Sequence, residues 1–159
     1  MGSIPVYSFF PYDEIESLLL TKHTDIGYYI YRVLAARALG AFACEWDYKN
    51  RVASIGIDDH AANGYSHTAV LNRALASSNI IPQYGKLRAS KHYKYAGKSA
   101  EERLMNPREF IYTPFAENEV ILVDDIVTTG TTLSEATEVL HANGKKVILC
   151  LTLTDAENR

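Results

Sequence analysis

The residues with the clearest chemical purpose lie between Val120 and Thr132, in the run Val-Ile-Leu-Val-Asp-Asp-Ile-Val-Thr-Thr-Gly-Thr-Thr. Asp124 and Asp125 are adjacent carboxylates. An ionised carboxylate only accepts hydrogen bonds, so a pair of them suits a vicinal diol such as the 2′ and 3′ hydroxyls of a ribose. Thr128, Thr129, Thr131 and Thr132 add four hydroxyls around Gly130, whose bare backbone lets a ligand come close. A helix starting there has first-turn N–H groups with no partner inside the helix. Hydroxyls and free amides together make a receptor for a phosphate monoester. Diol binder and phosphate binder fall within nine residues, Asp124 to Thr132, about the span of a ribose 5-phosphate. An acidic strand end beside a threonine-rich helix cap is the bland alternative, and the order and closeness of the two groups weigh against it.

Such a site needs a strand that carries the acids to a sheet edge and a helix that receives the turn. Val120–Val123 reads as a buried strand whose carboxyl end is the usual ligand edge of an open α/β sheet. Thr131–Ala142 reads as a helix with Leu133, Ala136 and Leu140 inward, ended by Asn143-Gly144, and Val147–Leu153 as the last strand. Upstream, Val6–Phe10 is an aromatic strand closed by Pro11. Asp13 is predicted to cap a short helix through about Lys22, and Asp25 a longer one. In the longer helix Ile26, Tyr29, Ile30, Val33 and Leu34 follow the spacing of a single buried face. Val52–Ile57 is a strand stopped by Asp58 and Asp59. His67, Val70, Leu71, Ala74 and Leu75 have helical spacing, and Tyr84–Ala89 reads as a strand. Short apolar strands alternating with helices predict an α/β fold, a parallel sheet flanked by helices, in a single domain over residues 1–159.

A chain of 159 residues with 47% hydrophobic and 22% charged residues suits one ordinary globular core. No basic, apolar leader opens it and no apolar run is long enough to span a bilayer. Cys44 and Cys150 stand far apart in apolar surroundings and are expected to be buried packing residues, which fits a reducing, cytoplasmic setting. His23, His60, His67, His92 and His141 show no metal-ligand spacing. Trp46 and the tyrosines from Tyr28 to Tyr31 are expected in the core or at an oligomer contact.

The net charge is −3, but it is unevenly spread: Lys86 to Arg108 holds seven basic residues against two acidic ones. A cationic patch on an acidic protein points to an anionic ligand with a defined docking place. Within it, Lys91-His92-Tyr93-Lys94-Tyr95 interleaves cations with rings, the chemistry that binds single-stranded nucleic acid; a solvated loop closing over a site is the competing reading. Gly97-Lys98-Ser99 lacks the upstream glycine and preceding strand of a triphosphate-binding loop and is a polar loop.

The stretch Val120–Thr132 resembles the phosphoribosyl-pyrophosphate motif of type I phosphoribosyltransferases at every position. The resemblance implies a sheet of that fold with a small N-terminal hood element, and phosphoribosyl pyrophosphate as ligand together with Mg²⁺. It implies that Asp124 and Asp125 meet the ribose and act in catalysis, and that Thr128, Thr129, Gly130, Thr131 and Thr132 hold the 5-phosphate. Asp58, Asp59 and His60 then stand where the family's second loop receives pyrophosphate, and the segment from Arg88 to Arg103 matches the loop that closes over the site. Enzymes for 6-oxopurines carry an acidic residue where Thr128 stands, which disfavours hypoxanthine or guanine as acceptor.

Over the whole chain the sequence is similar to the ComF family, linked to uptake of transforming DNA. The resembling blocks are Val6-Tyr7-Ser8-Phe9, Gly64-Tyr65-Ser66-His67 and Arg88…Tyr95-Ala96-Gly97-Lys98-Ser99…Glu102-Arg103…Asn106…Phe110. That resemblance implies single-stranded DNA and competence or DNA-uptake proteins as partners, through Arg88, Lys91, Tyr93, Lys94, Tyr95, Lys98 and Arg103. The four-cysteine zinc module that opens many ComF chains is not in this sequence. The acidic Asp58-Asp59 loop departs from the Pro- and Arg-rich one of that family, and repels pyrophosphate unless Mg²⁺ lies between. A metabolic phosphoribosyltransferase and a non-catalytic sensor of phosphoribosyl pyrophosphate are the two alternative readings.

Overall fold

Short apolar runs with helices on both sides can bury both faces of a sheet, and that is how this chain folds. The computed structural model describes residues 4–57, 60–61, 64–90 and 109–157. Strands β1 (Val6–Phe10), β2 (Val52–Gly56), β3 (Ile80–Gln83), β6 (Glu119–Val127) and β7 (Lys146–Asp155) form one sheet in the order β1-β7-β6-β2-β3. Every pairing in it is parallel. Strands β4 (Leu87–Ala89) and β5 (Phe110–Tyr112) make a separate antiparallel ribbon.

The helices are α1 (Tyr12–Leu19), α2 (Asp25–Ala35), α3 (Ala41–Glu45), α4 (His67–Arg73) and α5 (Thr131–Ala142). A 3-10 turn, Leu20–His23, joins α1 to α2, and a π-helical turn, Ala36–Gly40, joins α2 to α3. From β2 the chain runs through α4 outward to β3. From β6 it runs through α5 the opposite way to β7. The strand order therefore reverses between β2 and β6, and the crevice at their carboxyl ends is where an open α/β sheet receives ligands.

Two cores sandwich the sheet. On one face Tyr31, Leu34, Leu39, Leu71 and Leu75 pack with Ile121, Val123 and Leu151. On the other, Leu133, Ala136 and Leu140 of α5 meet Ala53, Ile55, Val120 and Leu122, with Leu87 and Phe110 from the ribbon. Val120 to Val123 are wholly buried. At roughly 1.5–3 kcal/mol per large apolar side chain, that run fixes the register of β6. Its odd-numbered residues enter the first core and its even-numbered ones the second.

Several expectations are corrected. The buried face of α2 is Gly27, Tyr31, Leu34 and Ala35, while Ile26 (61% exposed), Tyr29 (64%) and Val33 (57%) face outward. Apolar spacing locates a helix but cannot choose between two apolar faces. Thr24, not Asp25, caps α2 by accepting from the Gly27 N–H, and Asp13 lies inside α1, which follows Pro11 without a side-chain cap. Strand β3 was not expected; its Pro82 is tolerated because β3 is an edge strand. The expected strand from Tyr84 begins only at Leu87. Cys150 is buried as expected, but Cys44 is exposed.

Candidate functional site

Strand β6 continues past its apolar run, so Asp124 and Asp125 lie within the strand, paired with β7 through Asp124 opposite Thr152. Successive strand residues point to opposite faces, and this divides the two carboxylates that the sequence reading set on one diol. Asp124 is half-buried on the α5 side. Its charge adds to burial in pushing the Cys150 thiol up to about 12, which marks the side it faces. One Asp124 oxygen, Oδ1, accepts from the Asp125 N–H at 2.9 Å.

Asp125 enters the opposite core and is only 3% exposed. Its Oδ2 accepts from Lys22 Nζ at 3.1 Å and from the Tyr31 hydroxyl at 3.0 Å, with His67 Nε2 at 3.7 Å. Burial alone would push this carboxyl up. The charges of Lys22 and His67 and the Lys22 hydrogen bond overcome that, holding it at about 2. Burial, then the Asp125 charge, push the Tyr31 hydroxyl far up, so Tyr31 is a proton donor throughout the physiological range.

Lys22, Tyr31 and His67 are thus gathered by one buried acid at the carboxyl edge. The sequence reading expected Tyr31 in the core or at an oligomer contact, His67 in a helical pattern and Lys22 at the end of a short helix, and their separations along the chain gave no local signal for the cluster. The nearest clue is Gly27, a glycine inside a helix. A Cβ there would collide with the Thr21 carbonyl and the Tyr65 hydroxyl, so its absence lets the turn Leu20–His23 settle onto α2 and bring Lys22 to Asp125. The Tyr65 hydroxyl donates to the Lys22 carbonyl and fastens the same turn to the segment before α4. Of the N-terminal segment expected as a hood, β1 joins the main sheet beside β7, and the turn Leu20–His23 brings Lys22 to this edge.

Past β6, Thr128 to Thr132 are partly exposed and lead into α5. Gly130 is the residue before the helix, with φ +72°, a left-handed conformation in which a Cβ is strained. No side chain caps α5. Its first-turn amides therefore point outward with the positive end of the helix dipole, and the Thr129 and Thr131 hydroxyls sit 2.9 Å apart beside them.

Ile57 donates its N–H to the Val123 carbonyl at 2.9 Å, so the chain leaves β2 directly beside the Asp124 end of β6. His60, on that loop, is half-buried; Asp58 and Asp59 lie outside the described residues. Arg88 is exposed on β4. Lys91, Tyr93, Lys94, Tyr95, Lys98 and Arg103 also lie outside the described residues, but both ends of that segment are joined where the Ser90 N–H donates to the Glu109 carbonyl at 3.2 Å. Among the described residues no group of three or more His, Cys, Asp or Glu could hold a metal, and no helix is long and apolar enough to cross a membrane.

A five-stranded parallel sheet with a switch point beside an Asp-Asp strand end and a threonine-glycine turn defines a phosphoribosyltransferase-type fold. The Phosphoribosyl transferase domain family matches residues 71–159, more than half of the chain, and the chain belongs to that family. It is 32% identical over 92 residues to Competence protein F of Haemophilus influenzae, covering 54% of this chain and 40% of that one, in line with the ComF resemblance of its sequence. The chain thus spans well under half the length of that relative. Among solved structures, a hypoxanthine phosphoribosyl transferase of Trypanosoma cruzi shares the fold at 17% identity, with a TM-score of 0.50 over 80% of this chain and 66% of that one. An orotate phosphoribosyltransferase of Aeropyrum pernix superposes at 23% identity, with a TM-score of 0.47 over 89% of this chain and 64% of that one.

Proposed function

We propose that this chain is a ComF-like protein that binds 5-phosphoribosyl 1-pyrophosphate with Mg²⁺ at the carboxyl edge of β6 and β2. The observation that carries the reading is the sequence of groups along one stretch of backbone: the Asp124 carboxylate, the left-handed turn at Gly130, and the uncapped start of α5. Asp124 accepts from the ribose hydroxyls. Thr128, Thr129, Gly130, Thr131 and Thr132 surround the 5-phosphate, which the amides and dipole of α5 favour. Asp125 acts beside Asp124 by holding Lys22 and His67 at the edge, where their charge faces an anionic ligand.

Asp58, Asp59 and His60 form the pyrophosphate side of the site. Mg²⁺ would come in on the ligand's own oxygens, with the Asp124 carboxylate among the groups that could meet it. Bound there, it would neutralise pyrophosphate charge.

The segment carrying Arg88, Lys91, Tyr93, Lys94, Tyr95, Lys98 and Arg103 suits single-stranded DNA, and uptake or handling of such DNA in the cytoplasm with competence proteins is the setting proposed. If the site also turns over, an acceptor forms a bond to ribose C1 as the C1–oxygen bond breaks and pyrophosphate leaves with the electron pair. Incubating the protein with phosphoribosyl pyrophosphate, Mg²⁺ and a panel of bases and ammonia tests this. Binding without pyrophosphate release supports a sensing or DNA-handling role; release with one acceptor makes it a transferase; no binding removes the proposal.

A further inference from the structure

One cavity among the described residues is lined by none of the residues Thr128 to Thr132. It is an open groove of about 870 Å³ between α2 and α4. Tyr28, Arg32, Ala35 and Ala36 line one wall at the spacing of a single helix face, and Ala69, Val70, Arg73 and Ala74 line the other in the same way. The alanines keep the floor wide. The first wall runs for about two helical turns, roughly 12 Å, and the second for about one and a half, roughly 8 Å. Tyr65, Ser66 and Tyr84 complete the lining, Tyr84 being 48% exposed.

Two exposed arginines and no carboxylate line this groove, on a chain whose net charge is −3. Asp25, outside the lining, acts on Tyr65: its charge, after burial, raises that hydroxyl. Arg32 lies over the Tyr28 ring at 5.6 Å, and the Tyr28 and Tyr65 rings meet edge to face at 5.7 Å. Rings held in place beside guanidinium groups offer stacking for bases and charge for phosphates, without hydrogen-bond readout of sequence.

We infer that the α2–α4 groove is a docking site for a short stretch of single-stranded nucleic acid, with phosphates on Arg32 and Arg73 and bases against Tyr28, Tyr65 and Tyr84. The inference rests on the groove's own chemistry and shares with the proposed function only the kind of polymer handled. The groove adjoins the ribose-side cluster, because Tyr65 also fastens the Lys22 turn.

The test is fluorescence anisotropy of the whole chain with fluorescein-labelled oligothymidylate, using an equal-length duplex and thymidine monophosphate as competitors. The variant Arg32→Ala/Arg73→Ala is expected to bind the strand about tenfold or more weakly, and to lose about 1.4 from the log–log salt slope. Tyr28→Leu/Tyr84→Leu is expected to weaken binding at least about fivefold. Arg51→Ala, an exposed arginine outside the groove lining, is expected to leave it unchanged, and thermal melts check that each variant folds. Unchanged affinity in the arginine pair overturns the inference. So does equal competition by duplex or by monophosphate, or loss confined to Lys91→Ala/Lys94→Ala. Phosphoribosyl pyrophosphate titrations on the same variants are expected to match the parent protein, so failure of either reading is seen separately.

Discussion

The Tyr31 hydroxyl, on the buried face of α2, donates to Asp125 Oδ2 at 3.0 Å and so ties that helix to the carboxyl end of the central strand. Lys22 and His67 approach the same oxygen from the preceding turn and from α4. One buried acid thereby fixes the relative positions of three elements around the ligand edge. Asp124, one residue earlier, faces the other side of the sheet and touches this knot by accepting the Asp125 N–H on Oδ1.

This division predicts different outcomes for two neighbouring substitutions. Asp125→Ala leaves the buried Tyr31 hydroxyl and the Lys22 ammonium without their acceptor. It is expected to cost about 3 kcal/mol of stability, or roughly 6–12 °C in melting midpoint for a domain of this size. Asp124→Ala is expected to cost well under 1 kcal/mol while removing ligand affinity. Melting curves and ligand titrations on both variants separate the two roles.

Acid should unfold the protein partly through Asp125. Its carboxyl titrates at about 2 in the fold against the usual 3.8, so in acid the unfolded chain binds more protons than the folded one. The resulting contribution, about 2 kcal/mol, is complete above about pH 4 and fades as the pH falls towards 2. Urea denaturation at a series of acidic pH values should show the parent protein losing this increment, whereas Asp125→Asn, which cannot ionise, should lack it at every pH.

Removing the cation instead tests the pair from its other side. Lys22→Met keeps the aliphatic stem and deletes the charge opposite a buried carboxylate. Because Lys22 is about one-third exposed, the cost is expected to be about 1–2 kcal/mol, less than for a sealed pair. In a double-mutant cycle with Asp125→Asn the two losses should be clearly non-additive, as they are for groups in direct contact.

Gly130→Ala probes the turn. Nothing lies within 4 Å of a Cβ at this position, so the expected cost comes from the left-handed backbone alone, about 1–2 kcal/mol. Phosphoribosyl pyrophosphate affinity should drop about tenfold or more as the turn relaxes away from the phosphate. Gly144→Ala, which has a similar φ at the far end of α5, should show a comparable stability loss without the affinity loss.

How far the chain could be read in advance follows from where its information is local. Helix α5 was legible to its end residues because the threonine turn starts it and Asn143-Gly144 stops it. The apolar part of β6 was legible because four consecutive buried residues leave no choice of face. Helix α2 was misjudged in part because both of its faces are apolar: packing against α4 and the bond to Asp125 bury Tyr31 beside the expected Leu34 and leave Tyr29 and Val33 outside, and no window of sequence contains those partners. Strand β3 escaped because Pro82 argues against a strand unless one knows that it lies at a sheet edge. The Lys22–Asp125 pair joins residues 103 positions apart, so only the closed fold brings them together.

The most direct test of the central claim is an isothermal titration of the protein with phosphoribosyl pyrophosphate at millimolar Mg²⁺, repeated with folded Asp124→Ala. Saturable binding by the parent protein, weakened at least about a hundredfold in the variant, is the predicted result. Equal binding by the two proteins, or no heat from the parent protein, would contradict it.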